Sequence, residues 1–362
     1  VTDLTAALAR SALMLFLLAC AGLPPAFVDT AASLPAPGHF VLAGATVVGL
    51  GVADIEVEGG KIIAVGEVSS EVTRYDLTGR WVTPAAIDSH VHLAYLPLIA
   101  EMAAGGVAAA VDLAAPVDFL AEDHAPMRII AAGPMITAAG GYPTQGWGRN
   151  GYGREVTTAE EAAAAVDDLR ALGAGVVKIP VDSGPTLSAE ALAAAVGRAH
   201  TYGLRVASHA LDDGEAAAAR SAGIDVLAHT PVAPLEADTV AAWSGGAVVS
   251  TLGAFGGSNT TLSNLAALKA AGATVLYGTD FGNTRTPGVD GRELALLTEA
   301  GLTPAEVLAA LTSAPAAYWG LTDLGAIEVG KAASVLVLPR DPLVDPTVLA
   351  EAEQVWLDGV RR

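Results

Sequence analysis

The feature that most constrains this chain is a recurring unit. Short apolar runs rich in β-branched residues each close on a polar residue, and Ala- and Glu-rich stretches with helical character separate them. Such runs end near His92, Asp112, Ile136, Asp182, His209, His229, Thr251 and Asp280. Short buried strands alternating with helices are the pattern of repeated βα units and a parallel sheet. Eight strand ends predict an α/β fold, a closed (β/α)8 TIM barrel over residues 81–321. Helix punctuation agrees. Thr158 with Glu161 and Thr303 with Glu306 have capping-box spacing, Pro304 suits a first turn, and Gly173 and Gly203 stand where helices should stop.

The two ends of the chain have a different rhythm. Residues 40–67 alternate apolar runs with Gly-containing turns, and the pattern returns at 325–338 and 354–358. Residues 39–80 and 322–362 are therefore expected to form one small β-sandwich module together. Apolar residues make up 52% of the chain and charged residues 16%, enough for a large core. With 19 basic against 39 acidic side chains the net charge is −20, which argues against a nucleic-acid partner.

The single cysteine, Cys20, excludes an intrachain disulfide and a cysteine-clustered metal site, so any metal must be held by His, Asp, Glu or Lys. Before it, residues 11–19 (SALMLFLLA) follow Arg10 in the layout of a secretory signal, too short for a membrane-spanning helix. Leu17-Leu18-Ala19-Cys20 resembles a bacterial lipobox, which implies lipidation at Cys20 and an exported protein anchored in the cell envelope. The alternative is an incidental buried thiol, with the signal cleaved elsewhere or retained as an anchor. Residues 21–38, rich in Pro, Ala and Gly, read as a tether.

His90 and His92 form a His-x-His pair. In a strand, residues two apart project to the same face, so two imidazoles there can grip one ion. Lys178, His209, His229 and Asp280 each end or interrupt a later apolar run. Taken singly, each is more ordinarily a hydrogen-bonded core histidine, a turn aspartate or a lysine extending from a strand end. Spacing changes the weighing, because a barrel of about 250 residues gives roughly 31 per unit. His92 to Lys178 is 86 residues, Lys178 to His209 is 31, His209 to His229 is 20 and His229 to Asp280 is 51. The six residues then fall on strands 1, 4, 5, 6 and 8 of the barrel, at the C-terminal mouth where barrel enzymes work.

With those residues in place, the chain from about 40 to 362 resembles the amidohydrolase superfamily, and within it the imidazolonepropionase-like and prolidase-like binuclear metal hydrolases. The resemblance implies two divalent ions, zinc being the expected metal, held by His90, His92, a Lys178 carboxylated by carbon dioxide, His209, His229 and Asp280. It further implies hydrolysis of an amide or peptide C–N bond of a small substrate by a metal-bridging hydroxide, with Asp280 as general base and then acid. Departures are Pro84-Ala85-Ala86 where the family usually has Pro-Gly-Leu, Ala333-Ser334 for Ala-Asp, and Val111 where Arg is frequent. None is a ligand, although Val111 weakens transfer of a substrate.

The Gly-rich loop 138–155 offers Tyr142 to steady a developing oxyanion, and Arg149 or Arg285 to pair with a substrate carboxylate. Packing and surface solvation are the plainer roles for these three. Asp182 reads as a turn residue, or as a carboxylate supporting the ligands. His39, His124 and His200 are left outside the site. A dipeptidase of prolidase type is the leading function. A cyclic-amide hydrolase is the alternative, and a catalytically silent envelope binding protein is the competing class. Lys178 argues against a deaminase, and an oligomer is compatible with the sequence.

Overall fold

The computed structural model describes residues 38–362; the signal-like segment 11–19, Cys20 and the tether predicted over residues 21–38, except Gly38, lie outside the described residues. Both ends of the described chain share one eight-stranded sheet. Val335–Leu338 pairs antiparallel with Trp81–Pro84 on one side and with Gln354–Leu357 on the other, while His39–Val47 pairs with Gly51–Glu58. Alternation explains the packing: Ala53, Ile55 and Val57 of Gly51–Glu58 are buried while their neighbours are not. Phe40, Tyr75 and Trp356 meet with ring centroids 4.9–5.4 Å apart at the centre of this module.

Between the ends lie parallel strands β1 (Ala86–Val91), β2 (Val107–Asp112) and β3 (Arg128–Ala131) in one sheet. A second parallel sheet holds β4 (Val176–Lys178), β5 (Arg205–Ser208), β6 (Val226–Leu227), β7 (Ala247–Val249) and β8 (Thr274–Leu276) in sequence order. Backbone hydrogen bonds join the two sheets at both margins. Gly175 donates to Ala131 O at 3.0 Å, while Ser89 donates to Tyr277 O and Asp280 to His90 O at 2.9 Å each. Every residue of β1 and β2 is buried, as expected of parallel strands covered on both faces.

Helices follow the strands of the second sheet, and capping boxes at Thr158/Glu161 and Thr303/Glu306 start two helices, with Pro304 in the first turn. A third, Asp212 with Glu215, was not anticipated from sequence. Two strand ends move. Ile136 lies on Met135–Ala138, which pairs with Gly153–Val156 rather than extending β3, because Gly133 turns at φ +69° and Pro134 supplies no amide hydrogen. β4 stops at Lys178, yet Ile179 and Val181 still donate to Ala207 and His209 across Pro180, so the pairing runs up to Asp182.

Candidate metal centre

The predicted residues gather beyond the C-terminal ends of the core strands. His90 and His92 lie on and just after β1, Lys178 ends β4, His209 follows β5, His229 lies two residues past β6 and Asp280 four past β8. Local backbone chemistry sets this up. A side chain at Gly278 would put Cβ 2.3 Å from Val249 Cγ1 and 3.1 Å from His90 N, and one at Gly282 would put it 2.7 Å from His92 Cβ. Only glycine lets this segment press against β1, and Asp280 between them turns at φ +54°, a conformation an aspartate tolerates.

The result is a tight cluster. His90 Nε2 and His92 Nε2 are 3.2 Å apart, and Asp280 Oδ1 lies 3.6 Å from the first and 3.1 Å from the second. One ligand atom from each of the three falls within 4.8 Å of the others, and all three residues are buried. The His229 ring is 4.5 Å from His90 and 4.9 Å from His209 between centroids, so the imidazoles are contiguous. His90 Nδ1 lies 2.7 Å from Ala228 O and His229 Nδ1 lies 3.0 Å from Thr251 Oγ1. A proton on each Nδ1 satisfies these contacts and leaves Nε2 as the lone-pair nitrogen.

Electrostatics favour unprotonated rings at His90, His209 and His229. Burial, reinforced by Lys178, holds His90 well below the usual histidine range; burial and the neighbouring imidazoles do the same for His229. Burial brings His209 down to about 4. Burial also opposes ionisation of Asp280, but His90, His92 and the Asn283 amide hold its carboxyl down at about 2. Lys178 is 1% exposed, its Nζ has no hydrogen-bond partner, and burial lowers it to about 7. An unpaired ammonium is costly there, so the position favours neutral amine or a modified nitrogen. The imidazoles of His90, His209 and His229, unprotonated, with the His92 ring, an ionised Asp280 and the lysine nitrogen fit a divalent cation, which all but the unmodified lysine could bind directly.

The other predicted side chains divide. Tyr142 stacks on His209 with centroids 4.7 Å apart, and its oxygen accepts the Trp147 indole N–H at 3.1 Å. Trp147 in turn lies 5.3 Å from His92, so loop 138–155 does form a wall of the cluster. Burial pushes the Tyr142 hydroxyl up to about 12, and it stays protonated at neutral pH. Arg285 is exposed, with its guanidinium 6.0 Å from the ring of Tyr95, itself 5.8 Å from Trp147. Arg149 is exposed and donates to Gln145 O. Asp182 accepts from the Ser183 amide, as a turn residue does, while its charge reaches His209 and Tyr142. His39, His124 and His200 bond to Glu56, Phe119 O and Asp225 instead.

Three buried carboxylates brace the cluster and were missed as functional. Asp88 accepts from the His90 and Thr279 amides and the Thr279 hydroxyl. Asp112 accepts from Leu93 and Ala114, and Glu293 from Leu252 and Gly253. From the sequence, Asp112 reads only as a strand end. The available signal was an acidic residue inside an apolar run, which is costly unless hydrogen-bonded.

A buried His, His, Asp cluster at strand ends is a set that could hold a divalent metal ion. The profile of the Amidohydrolase family matches residues 81–361, and the chain belongs to that family. It is a metal-dependent hydrolase acting on carbon–nitrogen bonds and uses divalent metal. An uncharacterised protein of Mycobacterium tuberculosis is 28% identical over 342 residues, covering 82% of this chain and 89% of the relative. The crystal structure of a Bifidobacterium longum protein assigned as a prolidase superposes with a TM-score of 0.78 at 26% identity, covering 91% of this chain and 95% of that one. A prolidase solved with N-methylphosphonate-L-proline superposes at 0.75 with 21% identity, over 90% and 99% of the two chains.

Proposed function

We propose that this protein is a dipeptidase of prolidase type, cleaving the peptide bond of a small substrate with a free carboxylate. The convergence of His90, His92 and Asp280 beside the unpartnered Nζ of Lys178 carries the reading. In it the two parallel sheets are one closed (β/α)8 barrel within residues 81–321, and residues 39–80 with 322–362, joined by Trp81–Pro84, are a β-sandwich. The hydrogen bonds at both sheet margins support closure. His90, His92 and Asp280 would hold one divalent ion, zinc by ligand chemistry, and His209 with His229 would hold a second. A carbamate on Lys178, formed when its free amine adds to carbon dioxide and loses a proton, would supply a further anionic ligand.

Divalent ions held there would polarise the scissile carbonyl and lower the pKa of a water near neutrality. Asp280, ionised and hydrogen-bonded to Asn283, takes the proton of the attacking water and returns it to the leaving nitrogen. Tyr142 accepts the Trp147 N–H through its oxygen, which leaves its own hydroxyl proton to donate to the carbonyl oxygen as charge develops. Arg285, with its guanidinium 6.0 Å from the Tyr95 ring, pairs with the substrate carboxylate.

Elemental analysis of metal per chain, followed by turnover on Xaa-Pro dipeptides and on cyclic amides, tests the reading. Two equivalents in wild type, a loss in Lys178→Ala, cleavage of the dipeptides, and metal retained without turnover in Asp280→Asn are expected. A chain that takes up no divalent ion in the presence of bicarbonate would return it to a binding role. Cleavage of cyclic amides alone would make it a cyclic-amide hydrolase.

A further inference from the structure

We propose that Glu293 is a positioning residue that acts through Thr251 and Phe255 to fix the ring plane and tautomer of His229. The inference rests on His229 being a metal ligand. Its starting point is Thr251, fully buried after β7, with φ +40°. A β-branched residue is seldom found there, because Cβ crowds the backbone, and such a conformation persists only where the surroundings impose it.

Glu293 imposes it. The next two amides, Leu252 and Gly253, donate to its two carboxylate oxygens at 2.9 and 2.7 Å, and the Thr251 amide donates to Gly278 O at 3.1 Å. Glu293 is 2% exposed and sits on the helix Gly291–Glu299, an element remote in sequence from β7. A Cβ on Gly253 would lie 3.1 Å from Glu293 Oε2, so the carboxylate packs directly against the bent backbone.

The bend has two consequences, both at His229. It places Thr251 Oγ1 3.0 Å from His229 Nδ1, and it starts the short helix Gly253–Phe255, whose Phe255 ring meets the His229 ring edge-on at 5.0 Å. The hydroxyl holds one nitrogen and the phenyl ring limits rotation of the plane. When the Thr251 oxygen accepts the Nδ1 proton, Nε2 is the nitrogen left to bind metal. Without that partner either nitrogen can carry the proton, and a fraction of the rings present N–H where a lone pair is needed.

The test compares wild type with Thr251→Val, Thr251→Ser and Glu293→Gln. Co2+ titration of the full chain is read by visible absorption and chelator competition, and ring 15N shifts of His229 report its tautomer. Thr251→Val is expected to weaken Co2+ binding about 10- to 100-fold and to give a mixture of tautomers, while Thr251→Ser restores both. Glu293→Gln, whose single oxygen replaces two charged acceptors, should shift both readouts in the same direction. If that variant fails to fold, the two Thr251 variants carry the test. Wild-type Co2+ affinity and one tautomer in Thr251→Val would overturn the proposal, even with a lowered melting temperature, since a purely structural prop would move only the latter. Were wild type to bind no Co2+, the metal reading would fall, while the tautomer comparison would still decide the role of Glu293.

Discussion

Thr279 is bound twice by Asp88: its hydroxyl donates to Oδ2 at 2.5 Å and its amide to Oδ1 at 3.1 Å. The carboxylate also accepts the His90 amide, so one buried group ties β1 to the segment that carries Asp280. Burial raises Asp88 to about 7 against the pull of these hydrogen bonds, so losing a donor leaves an already strained acceptor short. Thr279→Val keeps the shape and removes the hydroxyl. It should destabilise the metal-free chain by about 1–3 kcal/mol, with Thr279→Ser recovering most of the loss. Urea unfolding decides the matter, and an unchanged midpoint for Thr279→Val would show that the bond from the Thr279 hydroxyl adds nothing to the bracing.

Lys178 gives a prediction that depends on composition of the buffer. Its Nζ is buried without a partner, so a carbamate would fill the space that an ammonium cannot occupy cheaply. Reconstitution of the metal-free chain with Zn2+ in carbon-dioxide-depleted buffer should give incomplete uptake of metal, and added bicarbonate should complete it. Lys178→Ala should lose most turnover and recover part of it with a short carboxylic acid that can occupy the vacated space. Equal uptake with and without bicarbonate would show that the lysine is not carboxylated.

The sequence exposed some of these relationships and hid others for a physical reason. His90, His92, Lys178, His209, His229 and Asp280 were visible because a polar residue at the end of an apolar run breaks a pattern, and their spacing matched a βα repeat. That both ends of the chain share one sheet was legible because residues 40–67, 325–338 and 354–358 carry strand rhythm, whereas Trp81–Pro84, read as the start of the barrel, joins that sheet against Val335–Leu338. Glu293 left no such mark. On Gly291–Glu299 an acidic residue in the first turn looks like ordinary dipole compensation, and only folding shows that its carboxylate is turned inward onto Leu252 and Gly253. Ile136 misled because Gly133 and Pro134 divert a strand-like run to a different partner.

Glu306 allows a test by pH. The Lys269 ammonium beside it and the Thr303 amide hold its carboxyl down at about 2. A carboxyl lowered by folding contributes fully above its unfolded pKa near 4.5, and the contribution disappears as pH falls towards 2. Glu306→Gln should therefore melt below wild type at pH 6, and the gap should close between pH 4.5 and about 2. The side chain is 43% exposed, so solvent screening keeps the effect small, and added salt should reduce it further. A gap that stays constant from pH 6 to 3 would assign the loss to the helix cap alone.

Tyr142 separates chemistry from binding. Its ring stacks on His209, and its oxygen is already engaged by the Trp147 N–H, so the hydroxyl proton is the part left for substrate. Tyr142→Phe preserves the stacking face and removes only that donor. If it stabilises charge that develops during attack, kcat should fall about 100-fold or more while KM and metal content change little, because the ground-state carbonyl gains less from the bond than the transition state does. Trp147→Phe should produce a smaller loss, since the freed Tyr142 oxygen lets the hydroxyl rotate away from the carbonyl. In the double variant the two losses should not add, because without the Tyr142 hydroxyl the indole has nothing left to orient. Additive losses, or a rise in KM with kcat unchanged, would make these rings a binding wall and leave the carbonyl oxygen to another donor.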